Sequence, residues 1–475
     1  MIPVSDNIKE YINSVFGEEY LNKFLEYINS EYNSYVRITG KENEKEILIN
    51  NLKSYGIKLE QIPGLTFAYK ILEGHQTIGK TFEHALGKYY IQSLSSMIPP
   101  FVLNPQPGEK VLDLCAAPGS KTTQLAAFMN NRGTLIANEP NLQRVKALIY
   151  NLDRLSFVNL AVIKDKGELL SKFYENYFDK ILVDAPCSAL GIIQKKGEVS
   201  NWWNLNQAGK IAELQFRLLL SAVKMAKVGA EIVYSTCTLT LEENEIILNK
   251  IFKKYPVELI DFELPLKTHE GFIKFGDEEL NPEIKKSKRI IPWEINSEGF
   301  FVAKLKKTGE TEAMKKAEVK NRGHVFLSAN NSKIKKYLND IKEQFGIAEE
   351  VFHQYKYLIK TNDIYFINSD WDAEDLNPFM RVGIKFASVD NKDIAQLYSN
   401  AASIFENKAT KNIVELTDMN DLKIYMSGGI IKREFAPPGQ KIIKYKNYFI
   451  GTAVASHEGL KSRFPRAMRT GEIIL

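Results

Sequence analysis

Between residues 91 and 305, short apolar and β-branched runs alternate with longer helix-like stretches, and no other property of the chain constrains its fold as tightly. The runs fall at 110–114, 134–138, 160–163, 181–183, 231–235 and 300–305. Parallel strands need long crossovers, usually helical, so this alternation predicts a doubly wound, mostly parallel α/β sheet with helices on both faces. Ligands of such sheets lie outside the carboxyl ends of the strands. Those ends carry Cys115-Ala116-Ala117-Pro118-Gly119, Glu139, Asp165, Asp184 to Cys187, and Cys237.

At 475 residues the chain exceeds one ordinary core, so several domains are expected. Residues 1–90 begin with apolar positions at 8, 11, 12, 15 and 16, a helical spacing. A strand over Tyr35-Val36-Arg37-Ile38, a helix from Glu44 to Lys53 and a turn at Pro63-Gly64 complete a small α/β domain suited to positioning a substrate. Residues 91–305 form the sheet domain. The basic, polar stretch from Lys304 to Arg322, including Lys306-Lys307 and Lys315-Lys316, reads as a linker or an exposed helix. It opens an intermediate segment over 306–385. Turn signals at Ser427-Gly428-Gly429, Pro437-Pro438-Gly439 and Lys446-Asn447 mark a β-rich module over 386–475.

Three cysteines, an odd number without CxxC spacing, argue against a disulfide framework and against a cysteine-based zinc site, so no metal is expected. The thiol content suits a reducing cytosol. No basic flank precedes an apolar stretch at the N-terminus, and nowhere do eighteen apolar residues run together, so neither secretion nor membrane spanning is expected. A net charge of +5 permits an anionic partner such as nucleic acid without requiring one.

A strand ending at Leu114, a tight turn containing Gly119 and a helix from Lys121 would aim backbone N–H groups at a bound anion or carboxylate. The segment matches neither GxxxxGK[ST] nor GxGxxG, and the same turn also serves an ordinary buried strand–helix connection. Glu139, at the next strand end, stands where an acid can accept hydrogen bonds from ribose hydroxyls, although a lone glutamate reads equally as a surface residue. Cysteine is the strongest intrinsic nucleophile among side chains at neutral pH. Cys237 follows Glu231-Ile232-Val233-Tyr234-Ser235, and Thr240 with Glu243 has the spacing of a capping box for a following helix. The plain alternative is a small buried residue at a strand end. Asp184 and Cys187, on a turn stiffened by Pro186, should share the cleft with Cys237. The pattern is that of a cofactor-dependent enzyme with a cysteine nucleophile.

Three signatures in order, Leu112-Asp113-Leu114-Cys115-Ala116-Ala117-Pro118-Gly119-Ser120-Lys121-Thr122, Asp184-Ala185-Pro186-Cys187-Ser188-Ala189-Leu190-Gly191, and Tyr234-Ser235-Thr236-Cys237-Thr238-Leu239 with Glu242-Glu243-Asn244-Glu245, resemble those of the Nop/Sun (NSUN) family of S-adenosylmethionine-dependent RNA cytosine-5 methyltransferases. Flanking segments from Gly87 to Ser96 and from Gly299 to Ala303 extend the resemblance over roughly 85–305. Met380 to Lys385, Tyr425 to Gly429 and Leu460 to Arg469 look like the tail of bacterial RsmF-type enzymes, which methylate 16S ribosomal RNA and carry a PUA-like RNA-binding module. The sequence departs from the family at Lys195-Lys196-Gly197 and at Trp293.

The resemblance implies a Rossmann-like class I methyltransferase with S-adenosylmethionine as cofactor, held by Cys115, Ala116, Ala117, Pro118, Gly119, Lys121, Glu139, Arg144, Asp165 and Asp184. It implies that Cys237 attacks carbon 6 of the cytosine, that Asp184 hydrogen-bonds around N3 and the exocyclic amine, and that Cys187 assists release. Lys461, Arg463, Arg466 and Arg469, interleaved with Phe464 and Pro465, are expected to contact RNA. The expected partner is the small ribosomal subunit or its RNA, met by a cytoplasmic monomer. A transfer RNA cytosine-5 methyltransferase and a non-catalytic RNA-binding assembly factor stand as alternatives. A DNA methyltransferase is disfavoured, because its nucleophile would sit in a Pro-Cys loop and not at Thr236-Cys237.

Overall fold

In the computed structural model, which describes residues 2–312, 323–373 and 375–474, the chain opens with helices α1 (Asp6–Phe16) and α2 (Glu18–Ile28). Their apolar stripes, Ile8, Tyr11 and Ile12 on one and Phe24, Tyr27 and Ile28 on the other, are buried against Leu190, Ile193, Trp203 and Leu239. The helical pair thus leans on segments that adjoin Cys187 and Cys237. Next come β1 (Tyr35–Arg37), α3 (Glu42–Ser54), β2 (Lys58–Gln61), β3 (Ala68–Glu73), α4 (Phe82–Ala85) and β4 (Tyr90–Ile91). The four strands form an antiparallel sheet in the order β2-β3-β1-β4, the small α/β unit expected from the sequence.

The large sheet is built from α5 (Leu94–Leu103), β5 (Lys110–Asp113), α6 (Ser120–Phe128), β6 (Thr134–Asn138), α7 (Leu142–Arg154), β7 (Leu160–Ile163), β8 (Phe178–Asp184), α8 (Val199–Trp202), α9 (Leu205–Met225), β9 (Ala226–Thr236) and α10 (Glu245–Phe252). Alternate residues of each strand enter opposite cores. Leu112, Ile136, Val183 and Ile232 join one cluster with Leu218 and Leu219 of α9, whereas Val111, Leu135, Leu182 and Val233 join another with Ile98 of α5, Leu125 of α6 and Leu148 of α7. Burial on both faces is why these strands read as unbroken apolar runs.

The parallel strands lie in the order β9-β8-β5-β6-β7, so the chain reverses its direction of travel across the sheet between β5 and β8. Their carboxyl ends flank the crevice where such folds hold ligands. The sheet is mixed and not mostly parallel. Five of its ten strands are parallel, and the strands on both flanks run antiparallel to their neighbours. Phe300–Lys307 pairs with β9, and at the far edge Phe379–Val382 pairs antiparallel with β7.

The start of the basic stretch is strand, not linker. Lys304 pairs with Glu231 at 2.9 Å, and Lys307 is fully buried, donating to Asn176 Oδ1 at 2.6 Å and to the Ala226 carbonyl at 2.9 Å. Lys315-Lys316 and Arg322 lie outside the described residues. Beyond it stand a five-stranded antiparallel sheet with the helix Ser332–Phe345, and a second five-stranded sheet, so the C-terminal half is β-rich. Lys446-Asn447 turns the hairpin between Gly439–Tyr445 and Tyr448–Ser456. Ser427-Gly428-Gly429 is instead a helix stop: Gly428, at φ +87°, ends the helix Met419–Ser427. The chain's last residues return to its first domain, with the Phe82 N–H donating to the Ile474 carbonyl and the Ile474 N–H to the Lys80 carbonyl. Among the described residues no helix is long and apolar enough to cross a membrane.

Candidate active site

The turn Cys115 to Gly119 leaves β5 and enters α6, with Gly119 at φ +107°, a conformation that favours glycine. A Cβ there would come within 3.0 Å of Leu148 Cδ1 of α7. Helix α7 holds the turn from outside. Arg144 donates to the Ala117 carbonyl at 2.6 Å and pairs with Glu139 at 3.1 Å, and Asn151 donates to the Pro118 carbonyl at 2.9 Å. Glu139, just past β6, is buried and accepts the Asn141 N–H at 2.9 Å. Asp165, just past β7, is partly exposed, its N–H donating to Asn138 Oδ1. Asp113 is buried at the end of β5, with Oδ2 accepting the Thr122 hydroxyl at 2.7 Å and Oδ1 without a hydrogen-bond partner among the described residues. Burial, reinforced by the Asp184 charge, pushes its carboxyl up to about 7.

Four carboxyl groups, Asp113, Glu139, Asp165 and Asp184, therefore gather at the ends of four adjacent parallel strands. This donor set fits S-adenosylmethionine, whose sulfonium and ammonium charges and ribose hydroxyls all favour acceptors of negative charge. Cys115 lies in the same turn, its thiol pushed well up by burial and then by the Asp113, Asp184 and Glu139 charges, so it is no thiolate here.

Lys121, buried on the first turn of α6, reaches across the crevice. Its Nζ lies 2.7 Å from Asp184 Oδ2 and 2.9 Å from Ser96 Oγ. Burial works against its ammonium, but the Asp184 carboxylate outweighs this and holds the group above its ordinary value. Asp184 also accepts the Ser235 hydroxyl at 2.8 Å. Because β8 and β9 are parallel neighbours with Asp184 opposite Ser235, the loops after them meet, and Cys187 Sγ lies 2.9 Å from Cys237 Sγ. Both thiols are free and partly exposed. The hydrogen bond to Cys237, then burial, holds the Cys187 thiol well above its ordinary range.

Thr240 and Glu243 do not form a capping box. Helix α10 begins only at Glu245, and the Thr240 hydroxyl donates to the Glu243 carboxylate at 2.8 Å inside a fully buried cluster with Ser188, Thr238 and Gln215. Sequence reading missed this cluster and the Lys121–Asp184 pair, since a run of acids before a helix carries the signature of an exposed first turn. The two family departures flank the loops: Lys195 pairs with Glu298 at 3.3 Å, and Trp293 meets Tyr20 edge-on at 4.6 Å. Lys461, Arg463, Arg466 and Arg469 lie elsewhere, exposed along one side of a cleft of about 1700 Å³ that Tyr150 and Asp153 of α7 also line.

Residues 100–306 match the family described as 16S rRNA methyltransferase RsmB/F. A Ribosomal RNA small subunit methyltransferase F of Shewanella piezotolerans is 30% identical over 94% of this chain and 93% of its own length. A tRNA (cytosine(49)-C(5))-methyltransferase of Pyrococcus abyssi is 39% identical, over 60% of this chain and 91% of its own. The solved structure of a methyltransferase homolog protein from Pyrococcus horikoshii is 30% identical with a TM-score of 0.55, covering 63% of this chain and 93% of that one. The structure of NSun6 from Pyrococcus horikoshii with SFG, at 23% identity and a TM-score of 0.56 over 64% of this chain and 98% of that one, shares the fold. The strand order, the crevice and these likenesses agree, and the chain belongs to the RsmB/F family of S-adenosylmethionine-dependent RNA cytosine-C5 methyltransferases.

Proposed function

We propose that the protein methylates carbon 5 of a cytosine in 16S ribosomal RNA through a covalent adduct with Cys237. The observation that carries this reading is the pair of free thiols 2.9 Å apart beside the Lys121–Asp184 ion pair. Carbon 5 of cytosine is a weak nucleophile until a thiolate adds to carbon 6 and pushes electrons toward it. The Cys237 thiolate forms that carbon–sulfur bond. Asp184, held by Lys121 and Ser235, hydrogen-bonds around N3 and the exocyclic amine and stabilises the charge that develops on the ring. S-adenosylmethionine, when bound, supplies the electrophilic methyl group. Once carbon 5 has gained it and lost its proton to a base, the carbon 6–sulfur bond breaks and the Cys237 thiolate leaves, a release assisted by the Cys187 thiol beside it.

A target base must be unstacked to enter the cleft, at a cost of a few kcal/mol that contacts elsewhere must offset. Lys461, Arg463 and Arg466 are exposed and in no ion pair among the described residues, which suits them to phosphates. Likeness to the Shewanella enzyme over nearly the full length of both chains favours ribosomal RNA, whereas the likeness to the transfer RNA enzyme spans only 60% of this chain. Bisulfite sequencing of RNA from a deletion strain should show lost methylation in 16S ribosomal RNA; loss confined to transfer RNA would overturn the substrate assignment. With labelled cofactor and RNA, Cys187→Ala should accumulate an adduct that survives a denaturing gel, and Cys237→Ala should form none. An adduct in Cys237→Ala alone would reverse the two roles.

A further inference from the structure

Next to the residue that follows Cys187 lies a carboxylate that the mechanism above does not use. Glu243 is fully buried and takes hydrogen bonds from three elements. The Ser188 N–H reaches Oε2 at 2.8 Å and the Ser188 hydroxyl reaches Oε1; Thr240 Oγ1 donates at 2.8 Å and Gln215 Nε2 of α9 at 2.9 Å. The Gln215 amide also donates to the Pro186 carbonyl at 2.8 Å, so both chain neighbours of Cys187 are fastened to one carboxylate–amide unit. Ser188 and Thr238, which follow Cys187 and Cys237, share a hydrogen bond of 3.0 Å, and Trp203 Nε1 donates to the Ser188 hydroxyl at 3.1 Å. Nothing in this network touches the reacting atoms, yet it fixes the separation of the two sulfurs.

We propose that Glu243 is a positioning residue for the thiol pair: it ties the Cys187 loop to the Cys237 loop and, as a buried carboxylate bonded to the residue after Cys187, reserves the thiolate for Cys237. The charged and titratable groups around the pair are arranged unequally. Lys121 is committed to Asp184, whereas the Glu243 carboxylate holds Ser188, the residue after Cys187, and the Glu243 carbonyl accepts the Tyr234 hydroxyl at 2.6 Å. Two neighbouring thiols cannot both ionise cheaply, so a fixed charge on one side decides which sulfur keeps the proton. This rests on the assignment of Cys237 as nucleophile and Cys187 as release partner. If Cys187 ionised in its place, the wrong sulfur would compete for carbon 6.

Alkylation of the full-length protein with iodoacetamide, followed by mass spectrometry of each cysteine peptide, tests the arrangement without RNA. Cys237 and Cys187 are both partly exposed, so a difference in rate reports thiolate character. Across neutral pH, Cys237 should react at least about tenfold faster than Cys187; equal rates, or a faster Cys187, would overturn the proposal even if no variant folds. In Glu243→Gln the Cys187 rate should rise and the ratio fall to within about threefold. Thr240→Val, which weakens the clamp but keeps the charge, should leave the ratio near that of the wild type. A role that is merely structural would speed both thiols alike in both variants, and an unchanged ratio in folded Glu243→Gln would sink the idea. Failure of the RNA adduct to form in Cys187→Ala counts against the proposed function and leaves these alkylation ratios standing.

Discussion

Asp113 and Asp184 lie at neighbouring strand ends and differ in what compensates them. Asp184 has an ammonium and a hydroxyl, whereas Asp113 has the Thr122 hydroxyl and no ion pair among the described residues. Folding therefore raises the Asp113 carboxyl from 3.8 to about 7. A raised carboxyl favours the protonated folded state, so its stabilising contribution is complete below the unfolded value and is lost as pH rises through about 7. Asp113→Asn mimics the neutral form and can still accept from Thr122. Melting curves of the cofactor-free protein between about pH 5 and 8 should fall more steeply for wild type than for Asp113→Asn, by on the order of a few kcal/mol across the window. Parallel curves would remove Asp113 as the cause. None of this was legible in the residues, where Asp113 is only the polar member of a strand; its burial follows from helices packed over both faces of β5.

Strands β6 and β7 match their sequence-derived limits to the residue, because each is buried along its whole length on both faces. Strand β9 is longer than the run at 231–235, extending back to Ala226 through Lys227 and Gly229, residues without strand character of their own. Pairing with β8 reaches back to Ala226, opposite Phe178, and the residues up to Glu231 bridge a shift in register. Likewise Phe379–Val382, with Met380 and Arg381 at its centre, is a strand because β7 presents an open edge and Asp153 receives Arg381. The loops after β8 and β9 are fastened by two glycines. The Gly191 N–H donates to the Cys237 carbonyl at 3.0 Å, and the Gly299 N–H donates to the Gly191 carbonyl at 2.8 Å. A Cβ on Gly191 would stand 2.3 Å from the Gly299 oxygen and 2.9 Å from the Cys237 oxygen. Gly191→Ala should therefore cost about 1–3 kcal/mol in stability. Because it displaces the Cys237 backbone, it should also lower methyl transfer at least about tenfold, measured as single-turnover incorporation of label. Full activity would show that the loops tolerate separation.

Across the whole molecule, the residues proposed for chemistry and those proposed for RNA contact lie in different places. The thiols and carboxylates sit on the central sheet, and the exposed Lys461, Arg463, Arg466 and Arg469 line another cleft, between the C-terminal residues and α7. Replacing all four with alanine should weaken RNA binding and flatten its dependence on salt, lowering the slope of log affinity against log salt by about three if each contacts one phosphate of a single strand. The adduct chemistry of Cys237 should persist at saturating RNA. An unchanged slope, read by filter binding over a salt series, would place the RNA elsewhere.

The antiparallel edge strand Phe379–Val382 has a consequence for how the protein is made. On the ribosome the N-terminal half emerges first, and β7 then carries an unpaired row of backbone donors and acceptors until residue 382 has cleared the exit tunnel. The catalytic sheet is complete only when most of the chain has been synthesised. A nascent chain that stalls after Phe300–Lys307 leaves that edge open for pairing with another copy, so the tail that is proposed to hold RNA also shields the sheet from aggregation.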